Sequence, residues 1–146
     1  MFTILSISDS DKHRQSAIQE YTKRLGKSVK ILDIKPSRNG TPQQIIQADT
    51  EQMIAQLKKF PNAKKFLLSK SGKALDTLQF HALCRNQDVV FVIGGPYGLE
   101  EEKLLNGIDA RIAFGAITLP HGLAKLTLLE QIYRIGTLET GKTYHY

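Results

Sequence analysis

The chain has 146 residues, a net charge of +6, 41% hydrophobic and 23% charged residues, which suits one globular domain and excludes wholesale disorder. No apolar run approaches the roughly 20 residues of a membrane-spanning helix, and the opening MFTILSISDSDK lacks the charged n-region and apolar h-region of a signal peptide. Cys84 is the only cysteine, so an internal disulfide is excluded, and the expected compartment is the cytoplasm.

Phe2 to Ile7 reads as a first strand. Asp9, Ser10 or Asp11 can cap a helix to about Leu25. That helix has Ala17, Ile18, Tyr21 and Leu25 at helical spacing and Lys12, Arg14, Lys23 and Arg24 on its other face. Gly26 ends it, and Val29 to Ile34 is a second strand. Lys35 to Thr41 has a proline, an Asn-Gly pair and two cations. It reads as a basic loop that either closes over an anion or simply connects. Thr41-Pro42-Gln43-Gln44 has the cap, first-turn proline and reciprocal glutamine of a helix start. The helix runs to about Lys59, with Ile45, Ile46, Met53, Ile54 and Leu57 inward.

Lys64 to Leu68 is a third strand that ends in a loop, Ser69-Lys70-Ser71-Gly72-Lys73. The loop is not a P-loop, because the first glycine is missing and Ala74 follows Lys73. Asp76 or Thr77 caps a short helix with Leu78, Phe80, Leu83 and Cys84. Val89 to Ile93 is a wholly apolar strand of the kind buried on both faces of a parallel sheet. It runs into GGPYG and a helix to about Asn106. Arg111 to Phe114 is a fifth strand, followed by Gly115 to His121. A last helix, about Leu123 to Leu138, buries Leu126, Leu129, Ile132 and Tyr133, and the tail reads GKTYHY. Alternating strands and helices predict a parallel sheet with helices on both faces.

Charge is unevenly placed. Residues 1–73 hold 14 Lys+Arg and 6 Asp+Glu, a balance of +8, and residues 74–146 hold 6 and 8, a balance of −2. A basic half beside a near-neutral half points to a polyanion, with nucleic acid first.

In open α/β sheets ligands bind beyond the carboxyl ends of strands, so GGPYG is the first candidate site. Its glycines, Gly94, Gly95 and Gly98, stand at offsets 0, 1 and 4 rather than the 0, 2 and 5 of GxGxxG. Glu100, Glu101 and Glu102 follow where a pyrophosphate would otherwise sit. The expected ligand therefore lacks phosphate or is cationic, and S-adenosylmethionine fits. Phe114 to Leu119 is a second loop with small residues, and would line the same cleft if its strand neighbours Val89 to Ile93. His121 stands at the mouth of the last helix as a cap or a proton carrier. No spacing of His, Cys or acidic residues suits a metal. The aromatic tail either packs on its own subunit or stacks on an exposed base.

FVIGGPYGL, then ITLPHGLAKLTLLEQIYRI, then a final YH resemble the RlmH family of SPOUT methyltransferases, over the whole chain. The resemblance implies a single domain, three-layer α/β/α with a mainly parallel sheet and a C-terminal trefoil knot. It implies a homodimer that moves a methyl group from S-adenosylmethionine to N3 of a pseudouridine in large-subunit ribosomal RNA, on the assembled ribosome. Cofactor contacts carry over to Leu68, Gly94 and the run Phe114, Gly115, Ala116, Ile117, Thr118 and Leu119. His121, Arg134, Tyr144 and His145 carry over as catalytic residues, with His121 or His145 as the base for the imide proton and Arg134 on RNA phosphate. No metal is implied. The chain departs from the family pattern twice. Lys125 stands where arginine is common, and Tyr146 stands where a basic residue usually follows YH. A non-catalytic RNA-binding protein on the same fold is the alternative, distinguished by cofactor affinity.

Overall fold

The structure is a computed structural model that describes residues 1–146. Five strands, β1 (Phe2–Ile7), β2 (Val29–Ile34), β3 (Lys64–Ala74), β4 (Val89–Ile93) and β5 (Ala110–Ala113), form one parallel sheet in the order β2-β1-β4-β3-β5. The helices are α1 (Gln15–Leu25), α2 (Pro42–Leu57), α3 (Thr77–Cys84), α4 (Glu101–Leu104) and α5 (His121–Thr140).

Successive side chains of a strand point to opposite faces, and β1 shows the result. Ile4 joins a core of 13 buried residues with Phe80, Phe91, Leu128 and Ile132. Leu5 and Ile7 join a second core of 8 with Met53, Leu57 and Leu104. The first core lies under α1, α3 and α5 and the second under α2 and α4, which gives three layers. Phe91 is fully buried and stacks on Phe2 and Phe80. Truncating it to alanine would cost about 3–5 kcal/mol.

The helix starts follow local chemistry. Thr41 Oγ1 accepts from Gln44 N and Gln44 Oε1 accepts from Thr41 N, the expected capping box. Asp76 and Gln79 repeat it at α3. At α1 the expected cap is displaced. Asp11 accepts from His13 N and Arg14 N in the turn before the helix, and Arg14, with no side-chain cap bond, leads into Gln15. Gly26, with φ 57°, ends α1. Gly40, Gly98, Gly115 and Gly141 also take a positive φ.

Several expectations change. The stretch Ser69 to Lys73 is not a loop, because β3 continues through it to Ala74 and pairs with β5 across a register shift between Leu68 and Lys73. A Cβ on Gly72 would lie 2.6 Å from Arg111 C, so only glycine allows that approach. The helix after GGPYG is one turn, α4, followed by a 3-10 turn over Leu105–Gly107. Ala17 and Leu78, among the apolar positions of their helices, are exposed, and Leu126 and Tyr133, expected buried, are only partly so. The Lys35 to Thr41 loop is tied down: Asp49 Oδ1 accepts from Ser37 N at 2.8 Å and Arg38 pairs with Asp9 at 2.9 Å. No helix is long and apolar enough to cross a membrane.

Candidate active site

The sheet reverses its winding between β1 and β4, where a ligand crevice is expected. Here that gap is filled. A Cβ on Gly95 would lie 2.8 Å from Ile7 Cγ2, so the GGPYG backbone packs directly on the end of β1. Beside it Lys125 on α5 reaches Ser8 Oγ at 3.0 Å and Asp33 Oδ1 at 2.5 Å, across the ends of β1 and β2.

The open cleft lies one step over, at the carboxyl ends of β3, β4 and β5. It has about 810 Å3, within the range of small-molecule sites. Leu68, Gly95, Tyr97, Phe114 and Ile117 supply its apolar and backbone walls, with Ser69, Lys70 and Glu101 as polar groups and His121 at the mouth. The two loops singled out in the sequence thus share one cleft, although β3 stands between their strands.

Of the expected cofactor contacts, Leu68, Phe114, Gly115, Ile117, Thr118 and Leu119 line this cleft. Gly94 and Ala116 do not. Gly94 faces its own loop, since a Cβ there would meet Leu99 Cγ at 3.3 Å and Gly98 Cα at 3.4 Å. The three glutamates are less of a barrier to anions than their sequence suggests. Glu100 pairs with Lys103 at 2.8 Å, and Glu101 pairs with Arg111 at 3.4 Å while accepting from Ser69 Oγ at 3.0 Å. The single turn of α4 also has little dipole to offer. Glu101 alone brings its carboxylate to the cleft wall.

The other expected catalytic residues form a second cluster. Glu130 Oε1 accepts from Arg134 Nη2 at 2.6 Å and Nε at 2.9 Å. The Arg134 guanidinium lies over the Tyr144 ring, 4.8 Å from its centroid. Tyr144 Oη sits 3.4 Å from Tyr21 Oη and 3.3 Å from Glu130, and its ring packs edge-on against Tyr133. The Tyr21 hydroxyl, then burial and the Glu130 charge, push the Tyr144 phenol up to about 12. Glu130 holds Arg134 above its usual range. Arg134 Nη1 and His145 Nδ1 are 3.4 Å apart. Arginine has no acceptor, so Nδ1 accepts and the neutral ring carries its proton on Nε2.

Tyr21 and Glu130 were not read as site residues. Tyr21 has core-like spacing on α1, and Glu130 looks like any surface glutamate; nothing local in the sequence marks their common neighbour, Tyr144. His121 belongs to the cleft and not to this cluster. Arg134 lies 13 positions beyond His121 on α5, about 20 Å at 1.5 Å per residue. Tyr146 points away, 97% exposed.

The chain matches known proteins along nearly its whole length. The model of a family described as "Predicted SPOUT methyltransferase" matches residues 1–145. The chain belongs to the SPOUT methyltransferase family. Curated relatives carry the name Ribosomal RNA large subunit methyltransferase H. One from Limosilactobacillus reuteri is 33% identical over 147 aligned positions, covering 92% of both chains. Another, from Xylella fastidiosa, is 37% identical over 136, covering 86% of this chain and 84% of that one. Solved structures share the fold. A candidate RNA methyltransferase of Bacillus anthracis superposes with TM-score 0.62 at 14% identity, covering 100% of both chains. A ribosomal RNA small subunit methyltransferase E of Neisseria gonorrhoeae, bound to S-adenosyl methionine, has TM-score 0.61 at 18% identity, covering 92% of this chain and 65% of that one.

As a SPOUT methyltransferase the protein is an enzyme. Its parallel α/β sheet is the one expected, and the strand order, with β5 beyond β3 at the sheet edge, is consistent with the family's knot. No group of three or more His, Cys, Asp or Glu is placed to hold a metal ion.

Proposed function

We propose that this SPOUT methyltransferase, a single domain over residues 1–146, methylates N3 of a pseudouridine in large-subunit ribosomal RNA on the assembled ribosome, in the cytoplasm. The observation that carries the reading is the cleft between the Leu68, Gly95 and Phe114 segments, with His121 at its mouth. The residues fit S-adenosylmethionine. Apolar walls suit an adenine, Lys70 suits the amino-acid carboxylate, and the Glu101 carboxylate suits a cation. The bound cofactor supplies a methyl group already activated by its sulfonium.

The protein's task is then alignment and exclusion of water. The acceptor nitrogen carries an imide proton that must leave. The His145 ring, held by Arg134 as an acceptor through Nδ1, presents a proton at Nε2 and so donates in that pose. His121 is the better placed base. Arg134, fixed by Glu130, offers its remaining N–H groups to RNA phosphate.

The enzyme acts as a homodimer in this reading. The tail cluster and the cleft are about 20 Å apart within one chain, so a partner's tail completes each site. Apolar residues stand ready for that contact: Ile117 is 80% exposed, and Leu78, Leu119 and Leu123 are exposed too. Methyl transfer from labelled S-adenosylmethionine to ribosomes lacking the modification tests the function. Incorporation at a pseudouridine N3 is expected. Normal cofactor binding with no incorporation would overturn the assignment.

A further inference from the structure

Five lysines meet at a corner of the molecule away from the cleft. Lys58 and Lys59 follow the end of α2, Lys64 and Lys65 open β3, and Lys103 lies on α4. Four of them, Lys58, Lys64, Lys65 and Lys103, line a cavity of about 670 Å3 whose floor includes Leu57 and Leu104. The only carboxylate in its wall is Asp109. That carboxylate is already engaged, accepting from Lys65 N at 2.8 Å and pairing with Lys64 at 3.7 Å. Lys103 pairs outside the cavity with Glu100. Lys58 and Lys65 have no carboxylate partner within 4.0 Å, and Lys65 Nζ donates only to Ala63 O.

Like charges gathered around one concavity repel. The carboxyl end of α2 accounts for Lys58 and Lys59, because a helix C-terminus favours cations. It does not account for Lys65, and Lys64 and Lys103, each paired with a single carboxylate, converge on the same cavity from other elements. Lysines for solubility alone would gain by spreading over the surface. A polyanion seated in the cavity explains why they converge.

The position also counts. β3 starts at this cavity with Lys64 and carries Leu68 to Ser71 into the methyl-transfer cleft. Lys64 and Ser69 are about 17 Å apart along the strand. β5 follows the same course, from Asp109 just before it to Phe114 just after it. Between the two concavities Arg111, on β5 at the sheet edge, is 39% exposed.

We propose that this lysine cavity is a second RNA-backbone site, which holds a phosphodiester of the substrate one strand length from the methyl-transfer cleft. The proposal rests on the RNA reading above. Ammonium groups on flexible stems make phosphate contacts without base readout, so they anchor and do not select. The cavity has no arginine fork and no glycine-rich nest of the kind that encloses a free phosphate.

The test is the double variant Lys58→Gln/Lys65→Gln, neither residue being in the cleft. Methyl transfer to unmodified ribosomes is followed across salt concentrations, with S-adenosylmethionine affinity measured by calorimetry. KM for the ribosome should rise about tenfold, with kcat and cofactor affinity unchanged, and the salt slope of log kcat/KM should flatten by about 0.7 for the one phosphate no longer neutralised. Unchanged KM and slope would overturn the site, as would a fall in kcat with cofactor affinity. If the wild-type enzyme transfers no methyl group at all, the reaction assignment fails separately. Binding of a fluorescent single-stranded RNA then tests the cavity by the same salt slope. Thermal stabilisation by free nucleoside triphosphate, lost in the double variant while RNA binding is kept, would make this a small-anion site and overturn the proposal.

Discussion

Lys125 Nζ lies 2.5 Å from Asp33 Oδ1, with the lysine side chain 7% exposed and the aspartate 55% exposed. Ser8 bridges them, and Ser6 continues the chain into the sheet. The pair is therefore asymmetric: the cation has left water and the anion has not. Asp33→Asn strands a buried ammonium and should cost about 1–3 kcal/mol, less than a fully buried pair because water reaches Asp33. Lys125→Met keeps the packed stem and leaves Asp33 to solvent, so it should cost roughly 1 kcal/mol or less. Urea midpoints of the two variants check the order, and a larger loss for Lys125→Met would contradict it.

That pair also shows what a linear reading can reach. Lys125 was legible only as a departure from the family pattern, because its partner stands 92 positions earlier. Asp49 and Thr50 are the same kind of miss. They look like ordinary polar positions of α2, yet they are buried to hold Ser37 N and Glu100 N. Elements set by local chemistry were legible: the Thr41 capping box, the Gly26 stop and the apolar β4. Ser69 to Lys73 was not, because its polar residues and glycine imitate a loop, and only pairing with β5 makes it a strand. The two loops of the cleft were found from their place after strands. Its third wall, Ser69 to Ser71, depended on that same unseen pairing.

Glycines in the cleft loop should differ in kind. Gly95 lines the cleft and a Cβ there would press on Ile7 Cγ2 at 2.8 Å, whereas one on Gly94 would touch Leu99 Cγ at 3.3 Å. Gly95→Ala should lose about 1–3 kcal/mol of stability through overpacking and weaken cofactor binding. Gly94→Ala should be the milder change in both. Calorimetric titration with S-adenosylmethionine and thermal melts separate them. Equal losses would show that Gly94, as the family carry-over has it, acts at the ligand.

Tyr144 gives the tail a pH limit. Its phenol is pushed up to about 12, first by the Tyr21 hydroxyl and then by burial and Glu130, from an ordinary value of 10.0. The folded state thus favours the protonated phenol. Its contribution is complete below pH 10 and is lost as pH rises from there towards 12. Phenolate absorbance should show one late-titrating tyrosine, absent in Tyr144→Phe. That variant keeps the ring over Arg134 but loses both hydroxyl contacts, so a titration unchanged from the wild type would remove Tyr144 as the source.

Cys84 should be silent in the native protein. It is buried in the main core, and burial followed by the Glu139 charge pushes its thiol up to about 12. The thiolate is the reactive form, so aromatic disulfide reagents at pH 8 should label it only on unfolding. Labelling kinetics across urea then report global opening. Fast labelling without denaturant would mean that α3 opens on its own.

The separation of His121 from Arg134 along α5 makes the composite site testable without a partner structure. His121→Ala disables the cleft and Arg134→Ala disables the tail cluster, so each homodimer should be inactive. If each active site draws its cleft from one protomer and its tail from the other, subunit exchange creates mixed dimers with one site wholly intact and one doubly impaired. Half of the dimers at equilibrium are mixed, so an equal mixture should recover about a quarter of wild-type activity. If cleft and tail act within one chain, every site in the mixture still carries one lesion and nothing is recovered. Exchange is verified independently by mass spectrometry of the mixed dimer. Full exchange without recovery would confine each site to a single chain and require the tail to swing about 20 Å.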